Sequence, residues 1–439
     1  MDTKWYQHWW AWLWVSMAVL AVAGVVGVAL WRVPWWIDHH YLRNLTQPQA
    51  TAVTGMRTAI LAMLAGALAV VGIIYTHRTL HQTREGQVTD RFTRAISHLA
   101  SPQLVEQLGG IYALERIMRD SKKDHATIVE VLAGFIREHV PAPPLESSAQ
   151  DRMRLARRRV RNPAPRSLAP KKDVSDQNPE PRPSEPVQAA LAVLGRRPRD
   201  RKEPFRLDLA RTDLRGAALP GSYLRRAILN GAYLDNAHLG EADLREASLV
   251  KAHLDGAALN GAHLEGADMD GAQINDAFLN YASLENAQMS ESSLAHTRLI
   301  GAHLNQAHLN RTRLTGAWLL EANLDGADLS QACLVGASLI NSTLVRANLW
   351  GADLTEAKLR NADLTGAELS SANLTDADLD GADLSDTDVS SQQVVVAKPR
   401  ETTVLPPLVA ADEMVQARIS FVEEEWQRDL LDALNGMDN

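Results

Sequence analysis

From Leu209 to Val389 every fifth residue is Leu, Met, Ile or Val: 37 positions, 33 of them leucine, without one slip of register. Two residues before each lies a small side chain, as at Thr212, Ala217, Ala252, Ala302, Ala352, Ala382 and Thr387, with Leu207 the one exception. A period of five fits neither the ~3.6 of a helix nor the ~2 of a strand, so the chain must turn once per unit while returning the same two positions inward. Gly216, Gly231, Gly256, Gly316, Gly351 and Gly366 fall two residues after the large position, where a corner would use glycine's tolerance of positive φ. Leucine then fills an interior, and alanine lets the next coil approach.

The amino-terminal pattern differs. Residues 9–31 hold no charged side chain over 23 positions, enough at ~1.5 Å per residue to cross about 30 Å of hydrocarbon. Thr58–Thr76 is a second uncharged run of 19 residues, and the two predict a transmembrane hairpin over residues 1–76. Trp5, Trp9, Trp10, Trp12 and Trp14 crowd one end of the first run and Trp31, Trp35 and Trp36 mark the other, as aromatic rings at the headgroup level would. Arg78, Arg84, Arg91 and Arg94 follow the second run closely, against Arg32, Arg43 and Arg57 in the connection. That bias places both termini, and everything after the second span, in the cytoplasm. Ala21-Val22-Ala23 imitates a signal-peptide cleavage site, but the apolar run continues to Trp31 and the second span would keep the chain anchored. Ala23 with Gly27, and Ala62 with Gly66, offer small-residue contacts between the spans.

Over residues 77–140, Val88, Phe92, Ala95, Ile96 and Leu99, and again Ile128, Val131, Leu132, Phe135 and Ile136, recur at helical spacing and predict a small cytoplasmic helical segment. Gly109-Gly110 reads as a break between helices and Asp124 as a helix cap. His77 and His81 could share a helix face, but two imidazoles without a third ligand read as ordinary interfacial histidines. Residues 141–206 form a linker rich in proline and arginine; between 151 and 172 nine basic residues face the single acid Asp151. Anionic lipid at this linker is the expected partner, and nucleic acid is disfavoured because no aromatic ring interleaves the arginines. Pro186–Gly195, at the linker's end, suits a short helix leading into the repeats. In the tail, 392–439, a helix over 412–435 would align Val415, Ile419, Val422, Trp426, Leu430 and Leu434, suited to capping the last coil or to pairing two chains in a homodimer.

The unit seen in stretches such as ADLTG and ANLDG resembles that of the pentapeptide-repeat family, A(D/N)LXX. The resemblance covers residues 207–391 and implies an all-β fold, a right-handed quadrilateral β-helix with four units per coil, hence about nine coils and a rod near 45 Å tall. GGIYALER and VQAALAVLG are similar to segments of membrane-anchored bacterial members, which implies a multi-pass protein of the bacterial inner membrane with its repeats in the cytoplasm. Well-known soluble members are acidic rods that resemble duplex DNA, bind DNA gyrase and protect it from quinolones.

The formal charge of −8 averages over a segregated chain, since residues 207–391 carry 26 acids and 12 bases. The acids thicken toward the tip, from Asp376, Asp378 and Asp380 to Asp383, Asp386 and Asp388. Such acidity is compatible with DNA mimicry, but it is also simply solubilising. Cys333 is the only cysteine, which excludes an internal disulfide and a cysteine-rich zinc site. His238, His253, His263, His303 and His308 stand just before large positions, yet no two are 20 apart and therefore stacked. No phosphate loop, nucleophile elbow or isolated acid pair stands out; Asp243, Asp268, Asp328, Asp353 and Asp363 belong to the repeat itself. Neither an enzyme nor a cofactor is expected. One outward feature departs from the pattern: Ile300, Leu320 and Ile340 are apolar and 20 apart, with Trp318 on the same face. They form a candidate surface for a cytoplasmic protein partner. The sequence thus predicts a membrane-anchored interaction scaffold, with topoisomerase-binding DNA mimicry as the second reading.

Overall fold

The repeat closes into a coil because its corners and ladders share one period. Parallel bridges join residues 20 apart without interruption from Asp208 with Ile228 to Asp363 with Asp383, so one coil consumes four units. Along each side the backbone donates in both directions: His253 N–H to Ala232 C=O at 2.9 Å on one coil, and Leu254 N–H to Gln273 C=O at 2.6 Å on the other. Each corner is closed locally, as where Ala257 N–H donates to Leu254 C=O at 3.0 Å. The sides are therefore ladders of single bridges and not extended strands. The 20-residue coil, which the sequence supplied only by resemblance, follows here from the pairing itself.

The structure, a computed structural model, describes Met17, Arg32 and residues 47–143, 182–201 and 203–437. The interior holds the fivefold large residues and the alanines two before them, nearly all fully buried. Six buried serines and threonines also occupy the small position, so the interior is not purely apolar. Five of the six hydroxyls return to the backbone, as where Thr212 donates to Leu209 C=O at 2.7 Å, Ser292 to Met289 C=O at 2.6 Å and Thr297 to Ile274 C=O at 2.6 Å. A hydroxyl that reaches a carbonyl costs little when buried.

The corner residue lies at positive φ throughout, whether glycine, as at Gly256 (φ 70°), or not, as at Lys251 (φ 55°) and Glu321 (φ 56°). Glycine is thus a relief at these corners, and the continuous ladder imposes the left-handed conformation on other residues at roughly 1–2 kcal/mol each. Glycine also serves a neighbour: a Cβ on Gly256 would stand 2.5 Å from Asn236 Oδ1, and one on Gly301 would stand 2.7 Å from Tyr281 Cδ1. At these two corners the glycine is the floor on which the preceding coil's side chain lies.

An open coil end exposes unpaired backbone groups, and the chain covers both ends. The chain divides into two units, Met1–Val88 and Thr89–Asn439. Within the second, α2 (Leu104–Asp120), α3 (His125–His139) and α4 (Glu185–Gly195) pack around Ile111, Leu114, Met118, Ile128, Leu132, Ile136, Leu191 and Leu194. This bundle meets the first coil through the backbone. Asp213 N–H donates to Val140 C=O at 2.8 Å, Ala142 N–H to Arg211 C=O at 2.7 Å and Tyr223 N–H to Gly195 C=O at 2.7 Å, while the Gln188 amide pairs with both backbone groups of Ala218. Residues 185–201 and 203–206, assigned above to the linker, therefore belong to the cap, and 144–181 and 202 lie outside the described residues.

At the other end Lys398 and Val404 bridge to Asp378 and Asp383. On α5 (Ser391–Val395) the Gln393 amide donates to the carbonyls of Leu369 and Ala372, at 2.7 and 2.9 Å. Beyond the short α6 (Pro407–Ala410), α7 (Glu413–Met437) buries Val415, Ile419 and Val422, and Arg418 donates to Ala397 C=O at 2.8 Å. Val415, Ile419 and Val422 thus cap their own rod, while Trp426 stays exposed and Leu430 and Leu434 fall outside the described side chains.

Two local expectations are corrected. α2 runs straight through Gly109-Gly110. The break falls before it, at 100–103, and Gly110 instead permits a close helix crossing, since a Cβ there would stand 2.7 Å from Ala95 O and Leu99 N. Asp124 precedes α3 without capping it; its carboxylate accepts from the Ser121 hydroxyl at 2.6 Å.

The first predicted span, 9–31, lies outside the described residues apart from Met17. The second falls within α1 (Gln47–Leu99), where the side chains of Val70, Val71 and Ile73 are exposed. Among the described residues no helix is long and apolar enough to cross a membrane; the side chains of Ile60, Leu61 and Leu64 are outside that set.

Candidate protein-binding face and its corners

The position just before each large residue points out of the middle of a side, and residues 20 apart in that column stand one above another. On one side the column reads Phe278, Arg298, Trp318, linked by consecutive bridges. The Arg298 guanidinium lies over both rings, 5.0 Å from the Phe278 centroid and 5.5 Å from that of Trp318. An arginine held between two aromatic faces gains cation–π attraction from both rings. Trp318 remains 41% exposed.

The three aliphatic residues predicted to join Trp318 stand where expected in register: Gly301 N–H donates to Leu320 C=O and Glu321 N–H to Ile340 C=O. Ile300, Leu320 and Ile340 are only half-buried corner residues, less prominent than Trp318. Tyr281, 67% exposed on the glycine floor of Gly301, adds a ring at the same corner. Tyr281, Phe278 and Arg298 escape a search confined to aliphatic side chains just after the large position; reading the column before it at the same spacing of 20 would have found two of them.

The repeat's aspartates have structural employment. Asp363 Oδ1 accepts from Thr365 N–H at 3.0 Å and from its hydroxyl at 2.6 Å, and Asp353 does the same with Thr355. Asp328 accepts from Ser330 N–H at 3.0 Å. These are Asx turns, the physical reason a unit carries Asp or Asn before its leucine. Asp243 is held by Arg245; burial pushes its carboxyl up, but the bidentate guanidinium outweighs it and the carboxyl titrates below the usual range. Tip acids are likewise partnered: Asp378 with Arg360 at 2.6 Å, Asp380 with Arg400 at 2.9 Å and Asp376 with Lys398 at 3.4 Å.

One carboxyl is anomalous. Asp235 and Asp255 stack at a corner, with Asp255 N–H donating to Asp235 Oδ1 at 3.2 Å and Asn275 continuing the ladder through its backbone and amide. Burial, then the Asp255 charge, push Asp235 up to about 6. Of the candidate histidines, His253 stacks on Tyr233 with centroids 4.3 Å apart, and His263 Nδ1 lies 3.6 Å from Glu265. Among the described residues no three His, Cys, Asp or Glu side chains converge as metal ligands.

The model of pentapeptide repeats matches residues 208–390 in a series of overlapping segments. The chain belongs to the pentapeptide-repeat family. Its fold over residues 208–390 is accordingly a right-handed β-helix. It is similar to the pentapeptide-repeat protein HetL, involved in heterocyst differentiation regulation, of the cyanobacterium Nostoc sp. strain PCC 7120. Identity is 32% over 44% of this chain and 85% of HetL, with a TM-score of 0.29. A second pentapeptide-repeat protein of Nostoc PCC 7120, alr5209, is 34% identical over 25% of this chain and 81% of its own, with a TM-score of 0.19. QnrB1, a plasmid-mediated fluoroquinolone resistance protein, is 18% identical over 44% of this chain and 96% of its own, with a TM-score of 0.28. No curated protein matches the chain. As in any pentapeptide-repeat rod, the interior here is filled, so whatever distinguishes this member lies on its outward columns and its caps.

Proposed function

We propose that this pentapeptide-repeat protein is a membrane-tethered scaffold that presents its β-helix to a protein partner in the cytoplasm, with no catalytic role. The observation that carries the reading is the ladder of Phe278, Arg298 and Trp318 beside Tyr281, Ile300, Leu320 and Ile340. Aromatic rings and arginine, partly exposed on a rigid side, are the composition from which binding hot spots are made. Rigidity matters because a surface already ordered by the ladder loses little entropy when a partner docks. The tether rests on the uncharged runs 9–31 and 58–76, and the cytoplasmic placement on the arginines after the second run.

The test is capture from cytoplasmic extract by the detergent-solubilised full chain, with and without nuclease, beside the Trp318→Glu and Leu320→Glu double variant. A protein held by the wild type and lost by a still-folded variant supports the reading. Equal capture by both removes the face from consideration. Inhibition of DNA supercoiling by the chain would favour DNA mimicry instead, a reading motivated by the 26 acids of residues 207–391. The arginine and lysine partners of Asp376, Asp378 and Asp380, three of the six tip acids, weigh against it.

A further inference from the structure

A cleft of about 560 Å³ opens between the last turns of α1 and the outer face of α2. Its size falls within the roughly 300–1,000 Å³ of small-ligand sites. Gly110 lets the two helices cross closely, and Gly109, one residue earlier, lines the cleft with open space beside it: a Cβ there would meet nothing within 4 Å. The floor is apolar, from Ala95, Ala113 and Ile117, with the exposed Val105 at the rim, while Arg91, Arg94, His98 and Arg116 stand around it. Two acids, Glu106 and Asp120, also line the cleft, so three arginines leave it net positive even with His98 neutral. Among the described residues Arg91, Arg94 and Arg116 have neither an ion pair nor a hydrogen-bond partner, although other arginines of the same bundle do: Arg196 pairs with Glu115 and Arg197 with Glu203.

We infer that this cleft binds the head group of an anionic phospholipid, its phosphate on Arg91, Arg94 and Arg116 and the first carbons of its chains against the apolar floor. Guanidinium groups lining one cleft from two helices suit a phosphate's oxygens. An apolar floor suits a ligand that is only partly polar, which a free phosphate is not. The choice of a lipid source rests on the membrane-tether reading, and it is distinct from attraction to the basic linker, whose arginines lie at 151–172.

The test titrates the full chain in neutral detergent with dihexanoyl phosphatidylglycerol, and in parallel with dihexanoyl phosphatidylcholine and inorganic phosphate. Calorimetry reads binding and circular dichroism checks each variant's fold. Wild type is expected to bind the glycerol lipid saturably at one site, with the choline lipid and inorganic phosphate at least about tenfold weaker. Arg94→Gln with Arg116→Gln removes charge; Gly109→Leu keeps every charge and fills the cleft, at a helical position where leucine is well tolerated. Each should weaken binding at least about tenfold. Unchanged binding in the folded arginine variant, or in the folded leucine variant, would overturn the site. Inorganic phosphate binding as tightly as the lipid would overturn the lipid assignment. Alkaline extraction of membranes reads the tether separately: a chain released by it that still binds lipid in the cleft would end the tether reading and leave the site standing.

Discussion

Replacing Asp235 by asparagine should stabilise the rod, and more at high pH than at low. The carboxyl stacks on Asp255 one coil away, and burial with that neighbouring charge lifts it from 3.8 to about 6. A carboxyl raised in the folded state holds its proton more tightly there than when unfolded. Wild-type stability should therefore rise as pH falls through 6, with the gain complete below 3.8, and be lowest above about 7. At about 1.4 kcal/mol per pKa unit the ionised form costs roughly 2–3 kcal/mol. Asparagine keeps the acceptor that takes Asp255 N–H at 3.2 Å, and its amide can donate to the Asp255 carboxylate as the Asn275 amide does at 2.9 Å. Denaturant unfolding followed by circular dichroism at pH 8 and pH 4 measures the difference. The expected outcome is a gain of about 2 kcal/mol for Asp235→Asn at pH 8, largely lost at pH 4. Equal gains at both values, or a loss at pH 8, would rule out an ionised Asp235 as a cost to the folded rod.

The amino-terminal cap supplies a second prediction. Glu203 is pushed up by burial, but hydrogen bonds and charge from Arg197, and a contact with His125 at 3.1 Å, outweigh this and hold it below its usual value. Glu203→Ala should strand the buried Arg197, cost about 3–5 kcal/mol and expose the first coil to protease, with limited proteolysis as the readout; in the wild type this contribution is lost as acid protonates Glu203. Leu304→Ala removes a fully buried leucine from a coil with no slack and should cost about 3–5 kcal/mol, against little for Leu320→Ala at its half-buried corner, as denaturant melts will show. Gly110→Ala should part α1 from α2, because the new Cβ would stand 2.7 Å from backbone atoms, and lower the unfolding midpoint by about 1–3 kcal/mol equivalent while leaving the rod's circular dichroism intact.

The rod was legible from spacing because one period governs its core, its corners and its ladders together. Leu254, Ala252 and Gly256 each report a different physical demand and agree on the same unit. Where the reading slipped, a local signal was overridden by packing. Gly109-Gly110 looks like a breaker, yet α2 continues through it because the buried Ile111, Leu114 and Met118 face the other helices and Gly110 is needed at the crossing. Arg197 reads as linker charge, but its guanidinium closes a buried network onto Leu194 and Tyr223 carbonyls, at 2.7 and 2.5 Å, that composition cannot announce. The candidate face was half visible. Trp318 stood out by size, whereas Arg298 matters only because the coil sets it between two rings 20 residues either way. The anomaly of Asp235 needs a neighbour on the next coil and enough burial, and only the first of these follows from spacing.

The scaffold reading is tested most directly by asking which side of the rod touches another protein when the full chain is expressed in intact cells. A photo-crosslinking residue in place of Trp318 is compared with one in place of Trp350, an exposed tryptophan in a different column. One discrete protein is expected to crosslink from position 318 and none from 350. Equal crosslinking from both positions, or from neither, would contradict it.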